Sequence, residues 1–224
     1  MHEGFSCRTA SYRGHSCAMS YCKIAPGHPF HGPYHDREYG FPVTDDDALF
    51  ERLALEMNQA GLSWLTILKK RARFHEAFRG FDPARVARFG ARDRARLLAD
   101  EGIIRNRAKV EAVIENARRI LKLRKVHGSF RRWLDAQHPL SKDEWVKLFK
   151  KEFRFTGGEI TGSFLMSTGY LPGAHDRTCP VHARILKRHP PWARARAGVR
   201  MRPRPVGRSA RAVGGARPSL RGRR

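Results

Sequence analysis

Between Asn106 and Val126 the apolar residues recur at helical spacing, with Val110, Val113, Ile114, Ala117 and Leu121 on one face and Ile120 beside them. Arg118, Arg119, Lys122 and Arg124 fall largely off that face, so one side of a long helix is committed to a core. The rest of the chain keeps to the same period. Thr44-Asp45-Asp46-Asp47 supplies N-cap candidates and negative charge for a helix to about Ala60, which Gly61 ends. Ser63 caps a helix running towards Phe78, Asp82-Pro83 opens a short one, and residues 92–100 form another that Gly102 breaks. Helices are also expected from about Phe130 to Ala136, from Ser141 to Lys151, and over Ile160–Ser167 after a Gly157-Gly158 turn. No stretch alternates long enough for a strand, and no internal repeat is visible. The chain reads as all-α, with roughly eight to ten helices. Residues 22–43, rich in Gly, Pro, His and aromatics, read as an irregular but ordered segment.

Charge narrows the class of partner. The formal net charge is +24 over 224 residues. Residues 193–224 contain eleven arginines, no acidic residue and few large aliphatics, and read as a disordered basic tail. Such a tail either holds nucleic acid through its phosphates or is an incidental extension. Residues 1–18 carry a net +1 and are expected to be a disordered leader, with Met19 plausible as a start. Those two segments account for half the charge, leaving +12 on residues 19–192, the expected folded domain. No apolar run is long enough to span a membrane, and residues 1–7 lack the apolar stretch of a secretory signal. Four cysteines do not make a disulfide scaffold. A cytoplasmic, monomeric protein that faces nucleic acid is the expectation.

Four features carry chemistry. Leu49, Leu53, Glu56 and Ala60 share one helix face that is apolar except for the carboxylate. Glu56 therefore either points into a cleft, where it must find donors or titrate upward, or sits at the edge of the stripe and reaches solvent. Trp64, at the start of the next helix, is either a core residue or a platform for a flat ligand such as a base. Cys22 lies thirteen residues before His35, and His175 precedes Cys179 by four. Two Cys–His pairs from opposite ends of the domain suit one tetrahedral structural zinc, although eleven histidines make chance pairs easy. In Phe153-Arg154-Phe155-Thr156-Gly157-Gly158 a glycine turn opens a helix and exposes backbone N–H groups. With Lys147, Lys150, Lys151 and Arg154 nearby, a DNA phosphate fits there, while the bland alternative is an ordinary interhelix turn.

Three strings tie these features together: Tyr34-His35-Asp36-Arg37-Glu38-Tyr39-Gly40, Leu55-Glu56-Met57-Asn58-Gln59-Ala60-Gly61-Leu62-Ser63-Trp64, and Gly102-Ile103-Ile104-Arg105-Asn106-Arg107-Ala108-Lys109. In order and spacing the chain from about Cys22 to Trp192 resembles the bacterial 3-methyladenine DNA glycosylase I family. That resemblance implies a helix-hairpin-helix glycosylase fold with residues 153–158 as the DNA-binding hairpin. It implies zinc on Cys22, His35, His175 and Cys179, joining the N- and C-terminal segments. It also implies Glu56 as the base-recognising carboxylate, Tyr34 as the pocket tyrosine and Trp64 as the stacking aromatic. The expected reaction is removal of 3-methyladenine from alkylated double-stranded DNA, with no Schiff-base lysine. A catalytically silent damaged-DNA binder is the alternative. Where the family often has aromatic residues, this chain has Ile24, His31 and Tyr39, so one pocket wall is expected to differ. Asp176 lies where related enzymes place a sugar-stabilising aspartate, but it neighbours a zinc ligand and carries little weight.

Overall fold

A computed structural model describes residues 20–196. Among the described residues every regular element is helical. Two short N-terminal helices, α1 (Tyr21–Ile24) and α2 (His31–Arg37), precede α3 (Asp46–Gln59) and α4 (Trp64–Ala77). A 3₁₀ turn over Arg79–Phe81 leads to α5 (Pro83–Val86), α6 (Ala91–Ala99) and the long α7 (Arg107–His127). The chain closes with α8 (Phe130–Gln137), α9 (Lys142–Glu152), α10 (Gly158–Ser167), α11 (Pro180–Leu186) and α12 (Pro191–Arg196). No helix among them is long and apolar enough to cross a membrane.

The caps follow the sequence closely. Asp45 is the N-cap of α3 and accepts from the Ala48 amide at 2.9 Å. Ser63 and Asn106 cap α4 and α7 in the same way, and Ser141 and Glu144 form a reciprocal capping box on α9. Asp46 works across the fold instead. Its carboxylate accepts from the Phe130 and Arg131 amides at 2.8 and 3.0 Å and from Arg124 at 2.8 Å, joining the start of α3 to the end of α7 and the start of α8.

The structure departs from the sequence expectation in several places. Residues 22–43 are irregular only in part, because they hold most of α1 and the whole of α2. Gly32 and Pro33 read as breakers, yet they occupy the first turn of α2, where backbone amides need no intrahelical partner. The single buried face expected for α3 is also incomplete, since every residue from Leu49 to Asn58 is buried. The helix runs through the middle of the domain, packed by α4, α7, α8, α10 and the 3₁₀ turn. On α7 it is Ile120 that enters the core, while Leu121 is only half-buried. With α1, α2, α11 and α12 included, the described chain has twelve α-helices, more than the eight to ten expected. The last of them continues past residue 192, where the basic tail was expected to begin. The expected leader and the tail beyond residue 196 lie outside the described residues.

Phe130, Trp133, Trp145, Phe149, Phe153 and Phe164 form an aromatic core at the α8–α9–α10 end. This packing fixes the turn between α9 and α10. Asn116 of α7 secures it further, accepting from the Arg154 amide at 2.8 Å and donating to the Arg154 carbonyl at 3.0 Å.

Candidate functional site

Glu56 sits on the third turn of α3, inside the domain and only 5% exposed. Among the described residues none donates a hydrogen bond to its carboxylate. Burial pushes its pKa up to about 8, against the pull of the nearby Arg52 guanidinium. Tyr34, on α2, is 3% exposed, and its ring lies 5.1 Å from that of Trp64, the first residue of α4. The Tyr34 hydroxyl and the Trp64 indole N–H are both buried without a hydrogen-bond partner. Burial raises the Tyr34 pKa, and Glu56 is among the charges that act on it. Tyr34 and Trp64 are thus in ring contact, and Tyr34 feels the charge of Glu56. They form an aromatic wall with unused polar atoms, in a setting where each such atom costs free energy unless a ligand satisfies it.

The geometry of that wall comes from its surroundings. Gly61, at φ +81°, makes the turn that ends α3 and lets Ser63 start α4 with Trp64 as its first residue. Lys109 of α7 donates to the Asn58 and Ala60 carbonyls at 2.8 and 2.7 Å, capping the open end of α3. Tyr39 packs on Tyr34 at 5.7 Å and so furnishes part of the wall. Ile24 is 42% exposed and contributes no ring, while His31 is hydrogen-bonded to the Tyr21 hydroxyl at 3.1 Å.

A second cluster includes His35, the residue that follows Tyr34 on α2. The ligand atoms of Cys22, His35, His175 and Cys179 all lie within 4.8 Å of one another, a set that can hold a metal ion. Cys22 Sγ is 3.5 Å from His175 Nδ1, and Cys179 Sγ is 3.7 Å from the same nitrogen and 3.8 Å from His35 Nε2. Those spacings are close to the roughly 3.4–3.8 Å between nitrogen and sulfur donors around one tetrahedral ion. The remaining ring nitrogens point the tautomers the right way. His35 donates from Nδ1 to Asp36 at 2.7 Å, and His175 donates from Nε2 to the Tyr39 carbonyl at 2.8 Å. Each imidazole is left with a lone pair on the nitrogen that faces the cluster. Asp176 is exposed and gives its amide to Cys22 Sγ at 3.4 Å, so it belongs to this cluster.

On the third surface, Lys147, Lys150 and Lys151 are exposed on α9, and Arg154 is exposed on the turn that follows. Gly157 is the N-cap of α10 and Gly158 its first residue, with no side-chain cap. A Cβ added at Gly157 would meet nothing within 4 Å, so the backbone has free space on that side of the turn.

Sequence reasoning missed Arg52, Glu38 and Asn116 as parts of these sites. Arg52 had a readable signal, being one helical turn before Glu56 and therefore on the same side of α3. Glu38 belongs to the Tyr34–Gly40 string but has no local sign of a role, and nothing local marks Asn116.

Residues 25–182 match the family described as methyladenine glycosylase. The chain is 38% identical over 172 residues to DNA-3-methyladenine glycosylase 1 of Escherichia coli (strain K12), covering 68% of this chain and 92% of that protein. It is 37% identical over 166 residues to DNA-3-methyladenine glycosylase of Haemophilus influenzae, covering 66% and 89%. Among solved structures it is similar to a variant of 3-methyladenine DNA glycosylase I in complex with 3-methyladenine. That match has 34% identity and a TM-score of 0.66, and covers 73% of this chain and 97% of the other.

Proposed function

The chain belongs to the methyladenine glycosylase family, and we infer from that membership that it is a base-excision enzyme hydrolysing the N-glycosidic bond of 3-methyladenine in alkylated DNA. The observation that supports this most is the buried Tyr34–Glu56–Trp64 cluster with its unpartnered polar atoms.

A base inside a duplex is out of reach, so the damaged nucleotide must rotate out of the stack and enter this cluster. Trp64 is half-buried and offers a ring for stacking, while Tyr34, nearly fully enclosed, offers its hydroxyl. Glu56 accepts a hydrogen bond from the exocyclic amine and favours positive charge on the ring. Alkylation at N3 makes the attached adenine cationic, so the leaving group is already activated and needs little acid catalysis. Normal adenine is neutral and gains less from a carboxylate and an electron-rich wall. Charge and shape together then select the lesion. Lys109 commits its ammonium to two backbone carbonyls, which leaves it unsuited to Schiff-base chemistry. The product is an abasic site in an unbroken strand. Incubation with alkylated duplex should liberate 3-methyladenine, and borohydride should trap no protein–DNA adduct. An adduct would refute the monofunctional assignment, and absence of free base would favour a silent binder.

The α9–α10 turn is the hairpin that grips DNA, with Lys150, Lys151 and Arg154 on phosphates and the Gly157–Gly158 amides facing the backbone. Replacing the three side chains with alanine should flatten the dependence of log affinity on log salt by about 0.9 for each phosphate no longer neutralised, measured by fluorescence anisotropy. An unchanged slope would place the DNA elsewhere. Two cysteines and two neutral histidines in a closed set make zinc the preferred ion at Cys22, His35, His175 and Cys179. With four protein ligands the ion ties α1 and α2 to the α11 end and has no part in base removal. Working on DNA as a monomer in the cytoplasm completes the assignment.

A further inference from the structure

Arg52 is the least expected residue of the interior, a guanidinium only 4% exposed in the middle of α3. Its charged carbon lies 4.8 Å from the centre of the Tyr34 ring. One of its nitrogens, Nη2, is held by Glu38, while Nη1 is buried without a partner. Glu38 is itself fixed by Arg71, which donates to both its oxygens at 2.8 Å, and Arg71 also bonds Glu51 at 2.9 Å. The two arginines and two glutamates cancel as a group. The guanidinium of Arg52 is nevertheless at the end nearest the pocket, one turn of α3 from Glu56.

We propose that Arg52, anchored by Glu38, is a positioning residue that sets the charge on Glu56 and the orientation of Tyr34, making the pocket selective for cationic bases. The proposal rests on the assignment of Glu56 as the base-recognising carboxylate. Other charged groups around this part of α3 have partners or positions of their own. Arg71 of α4 is committed to Glu38 and Glu51, and Lys109 of α7 to backbone carbonyls. Tyr34 of α2 is a neutral phenol at physiological pH, its pKa raised by burial. Arg131 and Asp135 of α8 pair with each other, and the start of α8 meets the opposite end of α3. Glu159 of α10 and Arg79 of the 3₁₀ turn are exposed. Arg52 is the charge that acts on Glu56, opposing the effect of burial.

A buried carboxyl without a counter-charge stays protonated, and a protonated carboxyl does not attract a cation. Arg52 holds Glu56 close enough to ionisation that an arriving cationic base can complete it. The same guanidinium lies over Tyr34, so removing it also leaves that ring less constrained.

The experiment is a carbon-13 carboxyl NMR titration of Glu56 in the full chain, with binding of 3,9-dimethyladeninium, which keeps the positive charge of the attached base, followed by tryptophan fluorescence between pH 6 and 9. Wild type, Arg52→Met, Arg52→Lys and Glu56→Gln are compared. Wild type should titrate near 8. Arg52→Met should move the midpoint up by about one unit, leaving roughly tenfold less carboxylate at pH 7 and correspondingly weaker binding. Arg52→Lys should restore much of the midpoint, and it stands in if the methionine variant does not fold. An Arg52→Met protein that binds less well with an unmoved Glu56 midpoint would overturn the proposal and leave Glu56 in its role. If Glu56→Gln binds with the affinity and pH profile of wild type, the underlying pocket assignment fails instead.

Discussion

Exchanging Glu56 for glutamine should stabilise the fold, by roughly 3 kcal/mol at pH 7. The carboxyl has an ordinary value of 4.5 and is pushed up to about 8 by burial. For an acid raised in this way, the contribution to stability is complete below 4.5 and is lost as pH rises towards 8. The unfolded chain releases the proton through that window while the folded one retains it. At about 1.4 kcal/mol per unit, the interval between 4.5 and 7 supplies the figure. Glutamine keeps the shape and hydrogen-bonding capacity of the protonated acid without that penalty. Urea denaturation of both proteins at pH 4, 7 and 8 is the check. Their stabilities should nearly coincide at pH 4 and separate as pH rises, with the variant the more stable. A constant difference would mean that the carboxylate is not desolvated. Wild type, on this account, retains a costly ionisable carboxyl because base recognition needs it.

The largest loss should follow removal of the metal. Purified protein should carry one zinc per chain, and Cys179→Ser should carry little or none. Cys22 and His35 belong to the first two helices, while His175 and Cys179 lie around the start of α11. Without the ion, two thiols and two imidazoles remain crowded together, and the segment carrying Tyr34 loses its tie to the far end of the chain. Structural zinc sites contribute directly to folding, so a chelator should lower the midpoint of thermal unfolding by about 10 °C or more. Tyr34 immediately precedes His35 on α2, and base binding should weaken before the protein as a whole unfolds. Metal-free wild type that melts at the same temperature would refute the site. Stoichiometric binding of a different ion would keep the centre and correct its identity.

The central helices were legible because their signals are local. Asn106, Ser63 and Ser141 cap as their side chains and spacing indicate, and the period of α7 survives except for the exchange of Ile120 for Leu121 at its edge. Helix α2 was not legible, since Gly32 and Pro33 in a first turn look the same as in a loop. The grouping of Cys22, His35, His175 and Cys179 was visible as a spacing pattern but gained its force from the family resemblance, and the geometry now draws the four together. Glu56 was found as the one carboxylate on an apolar stripe. Its real setting is more enclosed, because α3 is buried on every side, and single-helix periodicity cannot report what packs on the opposite face. Arg52 and Asn116 escaped for the same reason, since their roles depend on Glu38, Tyr34 and the Arg154 backbone far along the chain.

The most direct test is single-turnover release of 3-methyladenine from alkylated duplex DNA by wild type and by Glu56→Gln, with DNA binding measured alongside. The account predicts rapid release by wild type, a loss of about a hundredfold or more in the variant, and nearly equal affinity for undamaged DNA. Equal release by both proteins would contradict the account, because the buried carboxylate would then have no part in choosing or expelling the base.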